Sequence, residues 1–162
     1  DAHEIFRASD GVLSSAKGLR RVIDLPADLN SLSQAEQAMI EEFLELAKRT
    51  GADDSYIARH RKPWWRVGLR APPPIIMSYM ARRAPRFVVN ACGVRLLNIA
   101  HGLYPRVQLS AGQLHGIARW LNSRELRSIG RTYAGGLRKI EPGDAKRILV
   151  PDPASFEYQR AA

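Results

Sequence analysis

Arg82-Arg83-Ala84-Pro85-Arg86 places three guanidinium groups in one short turn. Each carries a fixed charge and a planar fork of donors that matches phosphate oxygens or a guanine edge. A second basic group lies in Gly130-Arg131-Thr132-Tyr133-Ala134-Gly135-Gly136-Leu137-Arg138-Lys139. Its glycines let backbone approach a phosphate, while Arg131, Arg138 and Lys139 supply charge. The spacing lacks the terminal Lys-Ser/Thr of a Walker loop, so it reads as a loop along a nucleic-acid backbone rather than a nucleotide site. Trp64-Trp65 adds aromatic surface beside Arg66. On a strand the two rings would face opposite ways: Trp64 suits the core, and Trp65 is either core or an outward platform for a base.

These residues sit in a strongly one-sided stretch. Ser55 to Lys139 holds 16 Lys and Arg against a single acid, Glu125, a balance of +15 that exceeds the +9 of all 162 residues. Residues 1–54 run the other way, with 6 basic and 11 acidic side chains. Charge so distributed fits a surface that meets a polyanion.

Other chemistry is poorly supplied. One cysteine, Cys92, excludes an internal disulfide and cannot by itself build a Cys-rich zinc site. Four scattered histidines make no metal-ligand spacing, so no metal is expected. Cys92 with His101 and His115 lacks the elbow and the orienting carboxylate of a nucleophile and its base, so no catalytic residue is assigned. No apolar run nears the ~20 residues that cross a bilayer. No signal-peptide pattern opens the chain. A cytoplasmic setting without membrane contact is expected. The start at Asp1 rather than Met suggests a fragment of something longer.

The elements that must position these groups fall into two parts: an acidic helical part over 1–54 and a basic, sheet-containing part over 55–162. Ser33-Gln34-Ala35-Glu36 is a capping box, and Ile40, Phe43, Leu44 and Ala47 recur at helical spacing. A helix is predicted from Ser33 to Arg49, ended by Gly51. Its Glu41, Glu42 and Glu45 read as solvated surface, with a docking face as the alternative. Leu19–Leu25 reads as a helical turn or a short edge strand. Strands are predicted over 64–69, 75–79, 86–90, 95–99 and 148–150. A second helix runs from Ser110 to Asn122-Ser123, with Leu114, Ile117, Ala118 and Leu121 on one face. A further helical turn is expected over 124–129, and 130–136 is expected to be loop. The predicted class is α+β: a helical N-terminal part packed on a small mixed β-sheet domain with a basic face.

Several blocks occur in an ordered combination. They are Arg61–Val67, Pro74-Ile75-Ile76, Arg82–Asn90, Asn98-Ile99-Ala100-His101-Gly102-Leu103-Tyr104-Pro105, and Gly130–Lys139. Together they resemble the C-terminal target-recognition part of restriction–modification N6-adenine DNA methyltransferases, over roughly residues 20–151. The family carries its catalytic domain first, binds S-adenosylmethionine there, and flips adenine into an Asn/Asp-Pro-Pro-Tyr/Phe loop. Ala71-Pro72-Pro73-Pro74 lacks the amide and the aromatic of that loop, and no Gly-rich cofactor turn is present. The resemblance therefore implies a stretch with no cofactor and no methyl-transfer residue, partnered by double-stranded DNA and by an N-terminal catalytic domain of the same polypeptide. S-adenosylmethionine would belong to that parent enzyme.

A flipping enzyme must hold the duplex while a base leaves the stack. Phosphate contacts set register and a few side chains read base edges. The expected DNA contacts are Arg66, Arg82, Arg83 and Arg86 near the strand turns, with Arg131 and Lys139 on the backbone and Trp65 against a base. Two rival readings are a stand-alone nucleic-acid-binding module with no attached enzyme, and a protein-docking domain that uses the acidic helix.

Overall fold

The computed structural model describes residues 2–7, 11–126 and 128–160. Two compact units form: residues 21–69, and residues 1–20 together with 70–162. The elements, in chain order, are α1 (Ala2–Ile5), β1 (Val12–Leu13), α2 (Gln34–Arg49), α3 (Tyr56–Arg59), β2 (Ile75–Met77) and β3 (Met80–Ala81). They are followed by β4 (Phe87–Asn90), β5 (His101–Leu103), α4 (Ala111–Asn122), β6 (Arg131–Thr132), β7 (Arg138–Lys139) and α5 (Pro142–Ala145). The class is α+β, as the sequence predicts.

In the unit of residues 21–69, α2 begins at the predicted capping box. Glu36 N donates to Ser33 Oγ at 3.4 Å, and Ser33 N donates back to Glu36 Oε2 at 3.0 Å. Ser33 Oγ also donates to Glu36 Oε2 at 2.7 Å, and this bond, ahead of the one from Ser33 N, holds the Glu36 carboxyl below its ordinary range. Gly51, left-handed at φ 75°, ends the helix by donating to Lys48 O at 2.8 Å. Leu44 is buried, whereas Glu41, Glu42 and Glu45 are exposed.

In the larger unit the main sheet has the order β1-β4-β2-β5, with β1 parallel to β4 and the other pairs antiparallel. Its strands are apolar on both faces because both faces are covered. Ile75, Met77, Phe87 and Val89 point to one side, onto Ile117, Ala118 and Leu121 of α4. Ile76 and Val88 point to the other, onto Ile5, Leu13 and Ala100. The alternation is the two-residue period of a strand. Fully burying each such side chain stabilises by about 1.5–3 kcal/mol. A second sheet, β3-β7-β6, is antiparallel and very short.

Several predicted elements differ. Residues 64–69 form no strand: Arg66 N donates to Pro63 O at 3.1 Å, which closes a turn, and Pro63 has no N–H for a ladder. Residues 95–99 are also irregular, and the strand beside β2 is instead His101–Leu103. Asn90 shapes this connection, donating to Pro73 O and Val94 O at 2.9 Å each. Residues 148–150 are not a strand, and Leu149 is 86% exposed. Residues 19–25 form neither helix nor strand, and 124–126 and 128–129 are not helical. Arg127 lies outside the described residues. The stretch expected to be loop is a hairpin, β6–β7, whose glycines form its tip: Gly135 and Gly136 have φ of 72° and 73°.

Candidate nucleic-acid interface

The short sheet collects part of the predicted set. Its register places Met80, Lys139 and Arg131 in one row and Ala81, Arg138 and Thr132 in the next. Neighbours in a row share a face, so Arg131 and Lys139 stand side by side and Arg138 turns the other way. Arg82 directly follows β3 and donates from Nε to Gly135 O, 3.2 Å away at the hairpin tip. One predicted arginine therefore holds the loop that carries two other predicted cations, Arg131 and Lys139. Lys139 pairs with Glu141, Nζ to Oε1 at 2.7 Å, and that bond raises the ammonium above its ordinary pKa. Gly130 is required where this hairpin begins: it is left-handed at φ 85°, and a Cβ there would lie 2.4 Å from Lys139 O.

Arg83 and Arg86 face a different feature, a groove of about 500 Å³. One wall is the turn from Arg83 to Arg86, and the other is the flank of α4 beside β4, with His115, Ala118, Arg119 and Asn122. Gly11, Val12 and Val89 lie along it, and no acidic side chain lines it among the described residues. The turn is fixed at its neck: Ser78 N donates to Arg86 O at 3.0 Å, and Arg86 N donates to Ser78 Oγ at 2.8 Å. Pro85 is buried, and the Arg86 guanidinium donates to Phe6 O. Arg83 is exposed. A larger cavity of about 900 Å³ is walled mainly by aliphatic residues such as Leu103, Leu109 and Ile148, and none of the predicted contacts lines it.

Trp65 and Arg66 belong to the other unit. Trp65 is half-buried; its indole N–H donates to Pro26 O at 3.0 Å, and its ring meets Trp64 edge-on at 5.9 Å. Arg66 is exposed. The predicted set thus divides into Arg82, Arg131 and Lys139 around the hairpin, Arg83 and Arg86 at the groove, and Trp65 and Arg66 in residues 21–69.

Sequence reading missed the α4 side of the groove. His115, Arg119 and Asn122 recur at spacings of four and three, a polar stripe that flanks the apolar side of the helix. That polar stripe is the signal that locates them. Cys92 and His101 have structural surroundings. Cys92 packs at the edge of the second apolar cluster, and His101 Nε2 lies 2.9 Å from Ile140 O, which makes that nitrogen the donor.

Residues 10–161 match the family model described as the C-terminal domain of type II methyltransferase M.Eco57I. The chain is 55% identical over 139 residues to type II methyltransferase M.XamI of Xanthomonas campestris pv. amaranthicola, covering 86% of this chain and 26% of that protein. It is 23% identical over 125 residues to type II methyltransferase M.AccI of Acinetobacter calcoaceticus, covering 74% of this chain and 23% of that protein. It thus spans about a quarter of the length of these curated relatives. No solved structure matches. The chain belongs to the family of C-terminal domains typified by that of type II methyltransferase M.Eco57I.

Proposed function

We propose that this chain is the target-recognition domain of an S-adenosylmethionine-dependent adenine-N6 DNA methyltransferase of a restriction–modification system. It binds double-stranded DNA, and a catalytic domain elsewhere in the same polypeptide holds the cofactor and transfers the methyl group. The observation that carries the reading is the grouping of cations within a family of methyltransferase C-terminal domains. The β6–β7 hairpin carries Arg131 and Lys139, Arg82 bonds its tip, and Arg83 and Arg86 line the adjoining groove. With Arg66 and Trp65 these side chains are the proposed DNA contacts. Arginine forks suit phosphates and guanine edges, and phosphate contacts fix register on the duplex. The residues needed for methyl transfer are supplied by the catalytic domain, because Ala71-Pro72-Pro73-Pro74 offers neither an amide nor an aromatic ring to a flipped base.

The test is an exchange. This chain replaces the matching segment of M.AccI, and methylated adenines are mapped across a sequenced plasmid. A change in the methylated sites away from those of M.AccI supports recognition by this domain. An active hybrid that still modifies only the M.AccI sites contradicts it.

A further inference from the structure

We infer that the groove between the Arg83–Arg86 turn and the polar flank of α4 seats one DNA strand by its phosphates, with Arg83 and Arg119 gripping from opposite walls. The inference rests on the DNA-binding reading above and adds to it a located seat and a residue, Arg119, from an element outside the expected contact set. Both walls are anchored to strand β4. Arg86 immediately precedes Phe87, and Ser78 clamps its backbone on both sides. On the other wall, Asn122 of α4 grips both backbone groups of Phe87, at 2.9 and 2.7 Å. The spacing between the walls is therefore set by the fold, which lowers the ordering cost of binding.

The charge balance points to an anion. Arg83 and Arg119 line one groove of about 500 Å³ from opposite walls, with no lining carboxylate among the described residues. Like charges gathered in one groove repel, at a cost that an incoming anion removes. Arg82 and Lys139 are already engaged, by Gly135 O and by Glu141. The Arg83 and Arg119 side chains are exposed and make no hydrogen bond or ion pair to the described residues. Gly11 and Val12 line the groove without charge, which leaves room for a sugar-phosphate chain to lie along it.

The experiment is fluorescence anisotropy of a labelled mixed-sequence duplex, titrated with this whole chain over a range of KCl concentrations. Arg83→Ala and Arg119→Ala are each expected to lower the slope of log K against log salt by about 0.9, the value for one lost phosphate contact. Arg83→Lys and Arg119→Lys, which keep the charge, are expected to restore most of the slope. Arg106→Ala, which lies outside the groove, serves as the control and should leave it unchanged. Salt-dependent binding that neither groove alanine alters overturns the groove assignment and leaves the DNA-binding reading intact. Failure of the wild-type chain to bind any duplex at low salt overturns both.

Discussion

Asn122, in the last turn of α4, binds Phe87 of β4 by both of its main-chain groups. Its Oδ1 accepts from Phe87 N at 2.9 Å, and its Nδ2 donates to Phe87 O at 2.7 Å. One side-chain amide thereby imitates a strand neighbour at a point where β1, pairing only Val89 and Asn90, does not reach. Asn122→Ala leaves two part-buried main-chain groups without partners. The expected loss is about 2–6 kcal/mol, at roughly 1–3 kcal/mol for each orphaned group. Asn122→Asp keeps the acceptor but sets a carboxylate oxygen against Phe87 O, so it should not restore stability. Urea unfolding followed by circular dichroism measures both variants.

Gly116 lies within α4, where alanine is intrinsically better by about 0.8–1 kcal/mol. Packing reverses that preference, since a Cβ at Gly116 would fall 2.6 Å from Phe156 Cβ. Gly116→Ala should destabilise by about 1–3 kcal/mol, the usual range for overpacking. In a Phe156→Gly background, which removes that Cβ and the ring with it, the same change should stabilise by roughly 1 kcal/mol. A double-mutant cycle reads the sign change directly.

Asp144 accepts from Glu141 N at 3.1 Å and pairs with Arg147, and these contacts, the backbone bond first, hold its carboxyl below the ordinary range. A depressed folded-state pKa contributes stability that is fully present above the unfolded value, about 3.9 for aspartate. That stability is lost as pH falls through the folded value. Asp144→Asn should therefore flatten this part of the acid limb, so the urea midpoint of the variant changes less between about pH 4 and pH 2 than that of the wild type. An unchanged acid limb would show that the carboxylate contributes nothing to folding.

Arg82 lies 53 residues from Gly135 in sequence, yet its bond to that carbonyl ties β3 to the hairpin tip. Arg82→Ala should loosen the β6–β7 turn, which closes through Tyr133 N donating to Leu137 O at 2.7 Å. Hydrogen exchange at Tyr133 N should quicken roughly three- to tenfold, the equivalent of one net hydrogen bond. Exchange at Val88, inside the main sheet, should not change.

Elements with local signals were legible in the sequence. Ser33 with Glu36, and Ser110 with Gln113, start α2 and α4 at the residues their capping boxes mark. The apolar runs at 75–77 and 87–90 gave the two central strands for the same reason. β5 was not legible, because His101-Gly102-Leu103 carries little strand propensity. Its place is set by packing: a Cβ at Gly102 would meet Pro73 at 2.7 Å, so only glycine fits beside that ring. The β6–β7 hairpin was hidden by its own glycines, which serve the turn while the short strands flank it. At the candidate site, the basic turn at 82–86 stood out by composition. Arg119 did not, since only the fold brings the polar stripe of α4 opposite that turn.

The central claim, that this domain holds duplex DNA through its arginines and lysines, is tested most directly by the salt dependence of binding. Affinity of the wild-type chain for a mixed-sequence duplex would be measured between about 50 and 200 mM KCl. Each neutralised phosphate contributes about −0.9 to the slope of log K against log salt, so full engagement of the seven proposed cations, Arg119 included, predicts a slope of about −6. A slope steeper than about −3 supports the account. No measurable binding at the lowest salt, or an affinity indifferent to salt, contradicts it.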